Sequence, residues 1–95
     1  MSAKRLIIRG QVQAVGYRQW MVDQAQRLGV AGWVRNRADG AVEALVDGDT
    51  AAVEELLRAC RRGPRLAQVA SIEEELVDCN AEAGLNGGFH QLPST

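Results

Sequence analysis

Hydrophobic positions recur along this chain with two periods, one typical of strands and one typical of helices. Residues 17–28 and 50–62 repeat apolar side chains every three or four positions, so each segment is predicted to be a helix. Strands rich in β-branched residues are expected at 5–12, 30–36, 41–47 and 68–77, with a short strand at 88–92. Gly29 and Gly63-Pro64 are expected to end the helices, and Asp39-Gly40 is typical of a hairpin turn.

The order of these elements is β-α-β-β-α-β, followed by the short strand. This order predicts an α+β, ferredoxin-like two-layer sandwich, in which an antiparallel sheet carries both helices on one face. The chain has 95 residues, the size of one domain, and we expect residues 1–95 to form a single domain.

Composition narrows the class of protein. Apolar residues make up 46% of the chain and charged residues 24%, as in an ordinary globular protein. No apolar run is long enough to span a membrane, and the N-terminus lacks the apolar stretch of a signal peptide, so we expect a cytoplasmic protein that binds no membrane. The two cysteines are too few for a disulfide scaffold: Cys60 is expected in the core and Cys79 at the surface.

Positive charge is concentrated in the first part of the chain. Residues 1–37 contain seven basic side chains and one acidic one, a net charge of +6, and the remainder has a net charge of −7. Such asymmetry hints at an anionic ligand for the first part, although a set of unrelated solvated charges explains it equally well.

Residues 10–18 connect the first strand to the first helix. The first backbone N–H groups of a helix have no partner within the helix and attract anions. Ala14 and Gly16 are small and leave those amides accessible, and Arg18 in the first turn could bind an anion with a bidentate fork. The alternative is an arginine that turns away into solvent. The segment is not a Walker A loop, because Tyr17-Arg18 stands where Gly-Lys-Ser/Thr is required.

Several common kinds of catalytic site are missing from the sequence. His90 is the sole histidine and is expected on a surface or edge strand, and no cluster has the spacing of metal ligands. Chemistry at residues 10–18 would therefore depend on positioning and electrostatics. An acyl phosphate suits such a site, because its carboxylate leaving group, with a conjugate-acid pKa of roughly 4, departs without a general acid.

Two long segments resemble the signatures of the acylphosphatase family. Gly10-Gln-Val-Gln-Ala-Val-Gly-Tyr-Arg18 is similar to the first, usually Gly-x-Val-Gln-Gly-Val-x-Phe/Tyr-Arg, and Gly32-Trp-Val-Arg-Asn-Arg-Ala-Asp-Gly-Ala-Val-Glu43 is similar to the second. The resemblance implies an enzyme that hydrolyses acyl phosphates to a carboxylate and inorganic phosphate, without metal or cofactor.

The resemblance also implies roles for individual residues. Arg18 would bind the phosphate and Asn36 would orient the attacking water. Together with the accessible amides of the loop, this predicts the following phosphate-binding residues: Gln13, Ala14, Val15, Gly16, Tyr17 and Arg18. Without the resemblance, Asn36 would be interpreted as a turn-forming residue. Ala14 replaces the usual glycine, and it would be strained by about 1 kcal/mol if this position has a positive φ.

Alternative functions remain open from the residues. The same fold hosts RNA-binding and small-molecule-binding modules without catalysis. RNA recognition would need exposed aromatic residues on the central strands, and the chain contains only two Trp, one Tyr and one Phe. Related domains also occur within larger carbamoyl-transfer proteins, so a carbamoyl phosphate is one possible substrate. We expect a free-standing monomer that binds no nucleic acid; weak dimerisation through an edge strand is the alternative.

Overall fold

A computed structural model describes residues 2–78 and 88–94. The elements, in chain order, are β1 (Ser2–Gln11), α1 (Tyr17–Leu28), β2 (Ala31–Asn36), β3 (Val42–Asp47), α2 (Thr50–Arg62), β4 (Gln68–Asp78) and β5 (Phe89–Gln91). The predicted order of elements is confirmed. The predictions for Cys79 and for most of the loop before β5 lie outside the described residues.

The strands form one sheet in the order β4-β1-β3-β2-β5. The four longer strands pair antiparallel, as predicted, and the ferredoxin-like fold is confirmed. The short strand β5 differs, because it pairs parallel with β2, from Gly32 opposite Phe89 to Val34 opposite Gln91. Strands β4 and β2 run in opposite directions, so a chain that turns back after β4 runs alongside β2 in the same direction.

Both helices pack on the same face of the sheet and form the main core with it. Helix α1 contributes Tyr17, Met21, Val22 and Ala25, α2 contributes Val53, Leu56, Leu57 and Cys60, and the sheet contributes Leu6, Ile8, Val34, Val42, Ala44 and Val46. The predicted burial of Cys60 is confirmed, and this burial raises the pKa of its thiol to about 12. These contacts hold the N-terminal end of α1 against the sheet.

The opposite face of the sheet explains most of the uneven charge distribution. Glu43, almost fully buried, pairs with Arg5 at 3.4 Å and with Arg35 at 2.9 Å. Further pairs join Arg5 to Glu75, Arg9 to Glu73 and Asp39, and Arg37 to Asp39, while Lys4 pairs with Glu74 on the face that carries the helices. The basic first part of the chain is therefore largely neutralised by acidic side chains of β3, β4 and the β2–β3 hairpin.

Gly10 allows the end of β1 to lie close against the backbone of β4, at the start of the loop that leads to α1. Its φ is 128°, and a Cβ at this position would lie 2.2 Å from the Gln68 carbonyl oxygen. The pairing of β1 with β4 shifts register between Arg9 and Gly10, as expected where a glycine lets two backbones approach closely. Beyond this irregularity the chain leaves the sheet and turns towards the helix. No helix among the described residues is long and apolar enough to cross a membrane.

Candidate active site

One concave site, of about 140 Å³, lies where the loop after β1 meets the ends of β2 and β5. Its lining residues are Val12, Ala14, Gly16, Tyr17, Arg18, Gln19, Asn36 and Gln91. The two residues that the sequence singled out for chemistry, Arg18 and Asn36, therefore line the same site. They come from different elements, Arg18 from the first turn of α1 and Asn36 from the last position of β2.

The backbone of the loop is shaped to expose amide groups. Ala14 has a φ of 61° and Gly16 a φ of 77°, both in the left-handed region, and Val15 between them does not. Alternation of this kind turns successive N–H groups towards one side, where they form an anion-binding concavity. Gly16 is also the N-cap of α1, and neither a capping side chain nor an acidic residue occupies the first turn. The N-terminal amides of α1 therefore have no side-chain acceptor of their own.

Gln13 and Val15, two of the six predicted phosphate-binding residues, anchor the loop with their side chains. Gln13 donates from Nε2 to the carbonyl oxygens of Arg37 at 2.8 Å and Ala41 at 3.0 Å, on the β2–β3 hairpin. The side chain of Val15 packs against the main core. Gln13 and Val15 do not line the site, so only their backbone amides remain for a ligand.

Tyr17 joins the start of α1 to the end of α2. Its hydroxyl donates to the Cys60 carbonyl oxygen at 2.7 Å, a group in the last turn of α2 that has no partner within that helix. Burial raises the pKa of Tyr17 far above its usual range, so its hydroxyl stays protonated and serves as a structural donor. The ring of Trp20 packs on it with centroids 5.3 Å apart.

Arg18 differs from most of the basic residues near it. It is partly exposed, and no carboxylate pairs with it among residues 2–78 and 88–94. The cation stands in the first turn of α1, where the helix dipole disfavours positive charge by about 0.3–1 kcal/mol. An anion bound at this end of α1 would offset that cost.

Asn36 does not form the turn that follows it. The turn is held by Asp39, whose carboxylate accepts the Ala41 N–H at 3.1 Å and pairs with Arg37 at 3.2 Å. Asn36 Oδ1 is buried and has no hydrogen-bond partner within the described part of the chain. The interpretation of Asn36 as a turn-forming residue is therefore wrong, since its amide does not stabilise the hairpin.

Two further polar residues of the site were not predicted from the sequence. Gln19 and Gln91 line it, and Gln91 Nε2 donates to Gln19 Oε1 at 2.8 Å. Gln19 follows Arg18 directly, but Gln91 reaches the site only because β5 pairs with β2. Its neighbour His90 is exposed on this edge strand, as predicted. No group of three or more His, Cys, Asp and Glu side chains that could hold a metal occurs in the described ranges.

Comparison with known proteins identifies the family. The family model for acylphosphatase matches residues 4–90. The chain belongs to the acylphosphatase family. An acylphosphatase of Acidiphilium cryptum is 64% identical over 84 residues, covering 88% of this chain and 92% of the relative. An acylphosphatase of Nitrobacter hamburgensis is 50% identical over 93 residues, covering 96% of this chain and 94% of the relative.

A solved structure agrees with the family assignment. The crystal structure of acylphosphatase from Bacillus subtilis superimposes with a TM-score of 0.87 at 32% identity, covering 97% of this chain and 99% of that one. The predicted family, fold and enzyme class are confirmed. The chain is a hydrolase, and its family implies an acyl phosphate as substrate and inorganic phosphate as product.

Proposed function

We propose that the amides of residues 13–18 and the Arg18 guanidinium hold the phosphoryl group of the substrate, while Asn36 orients the attacking water. One observation carries this proposal: Asn36 lines the same concavity as Arg18 and Gly16, and its buried Oδ1 accepts no hydrogen bond from the described residues. A buried amide oxygen without a protein donor needs an explanation. Binding of water beside a bound phosphate supplies one.

The phosphoryl group has three peripheral oxygens to satisfy. Backbone N–H groups at the start of α1 would bind some of them, because the helix dipole and the positive φ values of the loop favour an anion there. The Arg18 guanidinium would bind two oxygens in a bidentate fork. Gln13, Val15 and Tyr17 hold the cradle rigid from behind, so little reorganisation is needed when charge builds up in the transition state.

The reaction balances without an acidic side chain. Water attacks phosphorus, the bond from phosphorus to the bridging oxygen breaks, and its electron pair stays on that oxygen as the carboxylate. An acyl phosphate dianion and water thus yield one carboxylate anion and dihydrogen phosphate, with the protons of the water ending on phosphate oxygens. The carboxylate leaves easily because its conjugate acid has a pKa of roughly 4. What the protein supplies is position and charge stabilisation.

The test is hydrolysis of benzoyl phosphate, with and without a chelator, by the native chain and single variants. Asn36→Ala should lower kcat by about 100-fold or more while inhibition by phosphate stays within about twofold, since only the water loses its partner. Arg18→Ala should lose both activity and phosphate inhibition.

Arg27→Ala is the matched control, because this exposed arginine lies on the same helix but does not line the site. It should retain native activity. Full activity in Asn36→Ala would overturn the water-orienting role, and native phosphate inhibition in Arg18→Ala would overturn the phosphate-binding role.

The setting of this activity forms a second part of the proposal: a single-domain monomer, cytoplasmic, that binds neither nucleic acid nor membranes. Glu73, Glu74 and Glu75 in succession on the edge strand β4 disfavour pairing with another sheet. On the open face of the sheet, Trp33 is buried and covered by the Arg35 guanidinium, 4.9 Å above its ring, so it offers no stacking surface for a base. Light scattering at micromolar concentration should give the mass of one chain. The protein should show no salt-sensitive retention of RNA. Cell fractionation should recover it together with cytosolic enzymes.

A further inference from the structure

A chain of three hydrogen-bonded side chains forms one rim of the active site. Gln91 Nε2 donates to Gln19 Oε1 at 2.8 Å, and Gln19 Nε2 donates to Asp23 Oδ1 at 3.0 Å. Asp23 and Gln19 are one turn apart on α1, and Gln91 comes from β5. Gln19 and Gln91 line the concavity, whereas Asp23 is exposed outside it.

The carboxylate of Asp23 determines the direction in which these three side chains donate their hydrogen bonds. An ionised carboxylate can only accept, so Gln19 must turn its NH2 group towards Asp23. Its carbonyl oxygen then faces Gln91, and Gln91 must in turn present its NH2 group. Because the Asp23 carboxylate only accepts hydrogen bonds, it fixes the orientation of the Gln19 amide, and Gln19 in turn fixes that of the Gln91 amide.

The carbonyl oxygen of Gln91 is the group left over. It accepts no hydrogen bond from the residues that the structure describes. Gln91 is exposed, so water solvates this carbonyl when no ligand is bound, and a ligand that brings a hydrogen-bond donor can replace that water. If both amides were turned over, Gln91 would instead present its NH2 group at the rim and would favour a ligand that brings a hydrogen-bond acceptor.

The Gln91 carbonyl lies on the side of the site where we expect the acyl half of the substrate. The inference rests on the proposed function, in which the phosphoryl group occupies the cradle of Ala14, Gly16 and Arg18. The acyl group is joined to phosphorus through a single oxygen, so it lies next to the cradle and within reach of the remaining wall of the site, whose volume is about 140 Å³. Gln19 and Gln91 belong to that wall.

We propose that the Gln91 carbonyl is a specificity-determining group that favours acyl phosphates whose acyl group carries a hydrogen-bond donor. Gln19 and Asp23 are positioning residues, which hold the Gln91 amide in the accepting orientation. Small substrates of the amide or hydroxyl-substituted class are thereby favoured over purely alkyl ones of the same size.

The test uses two substrates of nearly equal shape and equal charge, carbamoyl phosphate with an NH2 group and acetyl phosphate with a CH3 group. The ratio of their kcat/KM values, carbamoyl over acetyl, is measured from phosphate release for each protein. Gln91→Met, which keeps the length of the side chain and removes the amide, should lower this ratio about three- to tenfold, the worth of one neutral hydrogen bond. Differences in intrinsic reactivity of the two substrates cancel when variant and native ratios are compared.

A charge reversal tests the orientation directly. In Asp23→Lys, the ammonium group donates to Gln19 Oε1, so both amides turn over and Gln91 presents its NH2 group. This variant should also lower the ratio about three- to tenfold, although residue 23 lies outside the site. Gln26→Lys adds a cation to the same helix at an exposed position and should leave the ratio at the native value.

The outcomes separate the inference from the proposed function. Hydrolysis of both substrates with a ratio that Gln91→Met does not change would overturn the specificity role and leave the proposed function intact. A lowered ratio in Gln91→Met with a native ratio in a folded Asp23→Lys would overturn the positioning role of Asp23. If Asp23→Lys fails to fold by circular dichroism, Gln91→Met still decides the specificity role. Native protein inactive on both substrates would overturn both proposals.

Discussion

Replacement of Ala14 by glycine should stabilise this enzyme, although it removes a methyl group. Ala14 has a φ of 61°, a conformation in which the Cβ of an L-residue crowds the following carbonyl oxygen. Most positive-φ positions of the described chain are glycines, and Ala14 is the exception among them. Its side chain is exposed, so the lost methyl removes little buried surface.

The size of the effect is the difference of two terms. Release of left-handed strain is worth about 1–2 kcal/mol. Glycine gives the unfolded chain more freedom, which costs about 0.4–1 kcal/mol. At the middle of both ranges the net gain is about 0.8 kcal/mol, which raises the Tm of a chain this short by roughly 3–6 °C. Phosphate affinity should stay the same or rise, because the preferred backbone of the cradle is retained.

Thermal unfolding followed by circular dichroism, together with inhibition by phosphate, measures both effects. Gly29→Ala is the matched control: Gly29 ends α1 with a φ of 74°, and a Cβ there would meet no heavy atom within 4 Å. It should lose stability by a similar amount through backbone strain alone and keep native phosphate inhibition. A Tm of Ala14→Gly equal to or below the native value, with the expected loss in Gly29→Ala, would refute the assignment of strain to Ala14.

Two further predictions concern the supports of the site. Tyr17→Phe should lose about 1–2 kcal/mol of unfolding free energy in urea titrations, since the buried Cys60 carbonyl loses its donor; an unchanged midpoint would contradict this. For Asp39, the Ala41 N–H and then the Arg37 and Arg9 guanidinium groups hold the pKa below its usual range, so its contribution is present at neutral pH and is lost as pH falls through that lowered pKa. The Tm of native protein should therefore exceed that of Asp39→Asn at pH 6, and the gap should close on acidification; a gap that persists at pH 2 would count against it.

Much of the site could be predicted from the sequence, because its first parts are local. The cradle is a contiguous segment that joins a strand to a helix start, and both Arg18 and Asn36 lie within recognisable signatures. The charge asymmetry carried little information about the site, since cross-strand pairs such as Arg9 with Glu73 account for most of it. Those pairs depend on the register of β1 with β4, which local patterns do not encode.

Apolar periodicity and turn residues by themselves determined the elements, their order and hence the class of fold, because these depend on neighbours along the chain. The resemblance to the acylphosphatase signature marked Ala14 as the residue to inspect, although only the folded loop decided that its φ is positive. The rim of the site was decided by tertiary structure alone. Gln91 meets Gln19 across 72 positions of sequence, because β5 runs parallel to β2. Strand direction and register set which distant side chains meet, and those are properties of the whole sheet.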